Sequence, residues 1–177
     1  FQNYVLETYP RVQRVLAVDM LNENKEDAVG HVALFPLGVD GEFLSAEYKQ
    51  AIDDSVSERA QVNLIVSVLN PTLVNVDANA VVVVKEGYVA SAVKTACEEA
   101  LMKYFDPNTT PWSQTIRKFE IGTLLSNIDG VDWVLSLNLY GGAPAIVDDL
   151  TGDLISSDPA TLFCAGIFDI GTVNPLV

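Results

Sequence analysis

The chain has one histidine, His31, directly after Gly30. An imidazole works as an acid/base or metal ligand in company. Here no second His exists and no Cys lies close in sequence, so His31 reads as structural or surface. The acidic run Asp148-Asp149-Leu150-Thr151-Gly152-Asp153 invites a calcium reading, because Ca²⁺ takes clustered carboxylate oxygens around a tight turn. The run lacks the alternation of acids and the closing Glu of an EF-hand loop, so it reads as a solvated hairpin tip. Asp53-Asp54 and Glu98-Glu99 sit on helical segments. Neighbours on a helix diverge by about 100°, so neither pair converges on one proton or metal. The sequence has no G-x-S-x-G, no G-x-x-x-x-G-K and no G-x-G-x-x-G. No catalytic, cofactor-binding or metal-binding residue is assigned, and a protein that is not an enzyme and carries no cofactor is expected. The competing class is a small hydrolase or carboxylate-metal-binding domain whose site no motif records.

The same acids set the charge. Twenty-four Asp and Glu face ten Lys and Arg, for a net charge of -14. Lys118 is the last basic residue, and the 59 residues after it carry eight acids. Such a field repels phosphate and anionic lipid, which argues against direct nucleic-acid binding and against docking on a membrane. It serves solubility, or it faces a basic partner surface. The longest apolar run, Ala80-Val81-Val82-Val83-Val84, has strand length, far below the roughly 18 residues of a membrane span. Cys97 and Cys164 both fall in apolar patterns and read as free, buried thiols rather than a disulfide. The chain starts at Phe1 with no basic head or apolar leader, and residues 1–9 read like the end of something begun upstream.

The elements that would position these residues follow from periodicity. Strands are expected over 12–21, 30–37, 62–69 and 73–85. The last alternates Val74, Val76, Ala78 and Ala80 with Asn75, Asp77 and Asn79, then turns apolar on both faces. Ser45 offers a cap to a helix that ends near Arg59, with Glu47 in its first turn. Val89, Ala92, Val93, Ala96, Cys97, Ala100 and Leu101 make a helical stripe that Asp106-Pro107 stops. Ile121, Leu124, Leu125 and Ile128 make a second. Val131, Trp133, Leu135, Leu137 and Leu139 then alternate with polar residues as a half-buried strand, which leaves no exposed aromatic platform of the kind a carbohydrate-binding module uses. A hairpin is expected over 145–155, its turn at Asp148-Asp149 or Thr151-Gly152, and an extended segment over 162–173.

The fold class is therefore α+β: two small sheet-plus-helix lobes, ββαβ over 1–70 and βααβ over 71–140, followed by a β-rich C-terminal extension over 141–177. Trp112, between Pro111 and Ser113, either plugs the gap between the two helices or anchors a contact with another subunit. Tyr4 and Tyr9 pose the same question near the start. With Asp148, Asp149 and Asp153 they are the candidate interface residues.

The order and spacing of four segments resemble the C-terminal half of the baseplate J-like family, wedge components of phage tail baseplates and contractile injection systems. Tyr9-Pro10-Arg11-Val12 with Val15-Leu16-Ala17-Val18-Asp19 resembles the family's first strand, and Gly30-His31-Val32-Ala33-Leu34 its second. Val66-Ser67-Val68-Leu69-Asn70-Pro71-Thr72 with Val74-Asn75-Val76-Asp77 resembles the passage between its two long strands. Lys85-Glu86-Gly87-Tyr88, Phe105-Asp106-Pro107, Pro111-Trp112 and Asp129-Gly130-Val131-Asp132 resemble the rest. The match covers Tyr9 to about Tyr140, with Ser113 where the family usually has glycine. The resemblance implies a structural protein of the virion tail baseplate, assembled in the host cytoplasm. Its implied partners are copies of itself, other wedge subunits, the tail hub and sheath-proximal proteins, in a ring-forming hetero-oligomer.

Overall fold

A computed structural model describes residues 1–112 and 115–174. Ser113 lies outside the described residues. The fold is α+β, with four α-helices and nine strands in three small sheets among the described residues. Two compact units divide the chain: Phe1–Thr72 with Asp158–Thr161, and Leu73–Ser157 with the residues from Leu162 onward.

In the first unit, Gln2–Thr8 forms α1, Arg14–Leu21 β1, Asp27–Leu37 β2, Ala46–Ser57 α2 and Ile65–Val68 β3. β1 and β2 are an antiparallel hairpin, and β3 pairs with β2 in parallel. A parallel neighbour needs a crossover, and α2 supplies it. The Ser45 hydroxyl caps α2 by accepting from the Tyr48 N–H at 3.3 Å, with Glu47 in the first turn. Successive side chains of a strand point to opposite faces. Val32 and Leu34 accordingly join Val5, Val15, Ile52, Val56 and Val66 in one core. Ala33 and Phe35 join Leu21 and Ala160 in a second core on the other face. Lys25 holds the Asp158 carboxylate at 2.5 Å and the Thr72 hydroxyl at 3.0 Å, tying Asp158–Thr161 to this unit. The helix α1 carries no strong pattern in seven residues and was not expected; β3 is shorter than the 62–69 stretch suggests.

In the second unit, Thr72–Val84 forms β4, Ala90–Tyr104 α3, Thr115–Ile116 β5, Lys118–Ser126 α4, Val131–Gly141 β6, Ala145–Val147 β7, Leu154–Ser156 β8 and Thr161–Val173 β9; the first residues of β4 and β9, Thr72 and Thr161, fall in the first unit. β4 is the middle strand of the order β6-β4-β9, and β5-β8-β7 is a separate small sheet. Val74, Val76, Ala78, Ala80, Val82 and Val84 line the core with Val93, Cys97 and Leu101 of α3 and Ile121 and Leu125 of α4. At the end of α3 the buried Thr110 hydroxyl donates to the Tyr104 and Asp106 carbonyls, 2.8 Å each, which locks the turn that Asp106-Pro107 starts.

One expectation fails in β6. Against β4 its register slips twice: Val81 faces Ser136 but Val82 faces Val134, and Val83 faces Trp133 but Val84 faces Val131. Leu135 and Asp132 are the extra residues of two bulges. The first inverts the phase of the strand and the second restores it. Leu137, Leu139 and Val131 are buried as the alternation requires, but Trp133 is 50% exposed and Leu135 62%. Trp133 is not in a half-buried row, and an exposed aromatic is present after all.

Candidate docking surfaces

The sequence-predicted aromatic residues of the first unit are engaged within it. The Tyr4 hydroxyl lies 2.5 Å from the Ser55 hydroxyl on α2, and the Arg59 guanidinium sits 4.5 Å over its ring. The Ser55 contact holds the Tyr4 hydroxyl below its ordinary pKa. Tyr9 donates to the Ala51 carbonyl at 2.8 Å and meets Tyr48 edge-on at 5.7 Å. Both tyrosines pin α1 and its exit to α2, and both keep half-exposed rings. Trp112 is half-buried in the loop after α3.

The acidic run lies where a hairpin was expected, between the antiparallel β7 and β8. Asp148 is the residue on which the turn is built. One of its oxygens accepts from the N–H of Leu150 at 3.0 Å, the N–H of Thr151 at 2.7 Å and the Thr151 hydroxyl at 3.0 Å. The Thr151 bonds, backbone first, hold the Asp148 carboxyl below its ordinary value. Asp153 accepts the Lys118 N–H at 2.8 Å at the start of α4. Asp149 is exposed. Two of the three carboxylates thus organise backbone, and among the described residues no three His, Cys, Asp or Glu side chains gather into a metal-ligating group. His31 is half-buried on β2 opposite Ile65. The Cys97 thiol is pushed up to about 11, first by burial and then by the Glu98 charge, which leaves it a poor nucleophile. Asp53 has one buried oxygen without a hydrogen-bond partner among the described residues.

Periodicity missed a concavity of the second unit. It is an open groove of about 860 Å³ between α4 and β6. Phe119, Gly122, Thr123 and Ser126 line it from the helix, and residues 133–137 from the strand. Phe119 is 83% exposed. Its recurrence with Gly122, Thr123 and Ser126 at steps of three and four marks one helix face, the side opposite the Ile121 and Leu125 that do pack. That half of the signal was in the sequence; the strand half was hidden by the bulges. Among the described residues no helix is long and apolar enough to cross a membrane.

No family model matches the sequence, and no curated protein matches it significantly. Among solved structures, a chain in the cryo-EM structure of the anti-feeding prophage (AFP) baseplate, six-fold symmetrised, superposes with a TM-score of 0.62 over 92% of this chain at 16% identity. This chain spans 36% of that one. At that identity the likeness is one of fold: the fold of this chain is one found in a baseplate chain.

Proposed function

We propose that this protein is a structural component of a phage-type tail baseplate, a wedge or ring part that links the hub to the sheath and outer baseplate by association alone. The observation that carries the reading is the fold match over 92% of the chain to a chain of the anti-feeding prophage baseplate. The ordered motifs from Tyr9 to about Tyr140, similar to the C-terminal half of the baseplate J-like family, point the same way independently. On this reading the partners are copies of itself, other wedge subunits, the hub and sheath-proximal proteins. The place of action is the virion tail, after assembly in the host cytoplasm. The domain reading of two α+β lobes, 1–70 and 71–140, with a β-rich extension over 141–177, belongs to this proposal. So do Tyr4, Tyr9, Trp112, Asp148, Asp149 and Asp153 as contact residues. Nothing in the arrangement of the carboxylates favours the hydrolase or metal-binding alternative.

The test is the company the chain keeps. Particles imaged from producing cells should contain it as a ring around the hub; a chain that stays monomeric and is absent from every tail assembly overturns the reading. Trp112→Ala probes one anchor. If the indole is a contact hot spot, the variant loses about 2 kcal/mol or more of association while its melting temperature stays close to the parent's. Equal loss of assembly and stability makes Trp112 a plug between helices instead.

A further inference from the structure

The groove beside α4 runs along an edge, not over a face. β6 is an outer strand in the order β6-β4-β9. Among the described residues, 132–140 make no backbone hydrogen bond outside the ladder with β4. A strand of 11 residues with one row of open N–H and C=O groups is a template for another strand. All five of 133–137 line the groove, through a stretch where the bulge at Leu135 interrupts the strict alternation of side chains, so the groove follows the strand along its length.

The opposite wall suits a main chain. Gly122, Thr123 and Ser126 are small, so a backbone can approach α4, while Phe119, Trp133 and Leu135 offer apolar contact. One end is charged. Arg117 and Lys118 line it together with Asp153, whose Oδ1 accepts the Lys118 N–H. Glu120 lies 3.7 Å from Arg117, both largely exposed, a geometry that binds weakly in water. This end holds the last two cations of the chain, with none in the following 59 residues. Asp153 and Glu120 match these two cations in number, but the pair with Glu120 is weak in water, so the cations remain available to a partner's carboxylate.

We propose that the α4–β6 groove binds a short extended segment of another protein as an added strand on β6, with apolar residues at alternate positions and Asp or Glu at the end that meets Arg117 and Lys118. Main-chain bonds to the open side of β6 hold it, and the alternate side chains select it. The bulge at Leu135 bends the edge and keeps the match short. The proposal rests on the reading of this chain as a part that works by association, and it names the face and the chemistry of one partner.

The probe is a capped synthetic peptide of about eight residues, alternating Val and Thr and ending in Glu-Glu. Two relatives serve as controls: one ending in Lys-Lys, one N-methylated at alternate residues. Binding of the Glu peptide to the whole chain should slow amide hydrogen exchange within 133–137 by about tenfold or more. The Lys and N-methyl peptides should bind at least about tenfold more weakly. Leu135→Lys should weaken the Glu peptide by a similar factor with an unchanged melting curve, because Leu135 is exposed. The proposal is overturned by no binding, by binding that leaves 133–137 unprotected, or by equal affinity for the Glu and Lys peptides. Protection that rises with protein concentration alone assigns the edge to a second copy and overturns it too. Incorporation into particles separates the two readings. A Leu135→Lys chain that enters baseplates like the parent leaves the function and removes the groove. A parent chain that binds the peptide but never enters a particle does the reverse.

Discussion

Asp53 shows how a single buried atom fixes a pH dependence. Burial is the larger cause and the neighbouring Asp54 charge the smaller, and together they hold the Asp53 carboxyl above its ordinary value against the Val68 backbone bond that lowers it. The folded chain therefore keeps this proton to a higher pH than the unfolded chain does. The unfolded carboxyl titrates near the model-peptide value of about 3.9. Stability falls as pH rises from there through the folded value, and the penalty is complete above it. Asp53→Asn removes that slope. The variant's stability relative to the parent should be higher at pH 7 than at pH 4, read from urea titrations at both. A fixed cost or gain from the amide cancels in that comparison, so a pH-independent difference refutes the assignment. Gly130 shows the opposite kind of control, by space. At φ +91°, a Cβ there would come within 2.6 Å of the Tyr88 ring and 2.7 Å of the Val93 side chain. Glycine is what lets the chain pass from α4 into β6 beneath them.

Elements were legible where one local rule decided them. Ser45 three residues before Tyr48 announced the start of α2, and the hydroxyl does accept the Tyr48 N–H. Ser45→Ala should cost about 1 kcal/mol in a denaturant titration, as loss of an N-cap does; a cost near zero would mean the frayed turn is held by packing alone. Asp106-Pro107 ended α3 because proline cannot continue a helix, and the apolar stripe of α3 fell on Val93, Cys97 and Leu101 as spacing required. Elements were not legible where pairing decided them. The two bulges of β6 depend on how Leu135 and Asp132 fit opposite β4, and no periodicity along β6 alone carries that. The exposed Trp133 and the groove beside it were lost for that reason. The helix α1 was lost because its hold comes from Tyr4 and Tyr9 reaching Ser55 and Ala51, partners more than forty residues away. The two-residue β5 exists only as a rider on β8.

For the whole molecule the governing quantity is the net charge of -14, and it sets a prediction opposite to that for a protein held by ion pairs. Among the described residues the ion pairs are few: Lys25–Asp158, Lys94–Glu98 and Arg117–Glu120. Lys94–Glu98 is partly exposed and Arg117–Glu120 largely so, and exposed pairs contribute only about 0–1 kcal/mol each, so screening them loses little. Repulsion among 24 acids acts over the full span of the chain. The Debye length is about 30 Å at 0.01 M salt and about 8 Å at 0.15 M, so low salt leaves that repulsion unscreened and moderate salt removes most of it. Raising NaCl through this range should therefore raise the melting temperature, by about 2–4 °C for each kcal/mol of repulsion relieved. A fall, or a flat line, would mean that attractive pairs dominate. The same field acts between molecules. Copies of this chain repel at low salt, so contacts between copies should tighten as salt rises, while a contact with a basic neighbour should loosen. Measuring the salt slope of each contact in a reconstituted assembly thus sorts neighbours by charge: a slope of the copy–copy sign for a basic neighbour would show that the acidic C-terminal third does not face it.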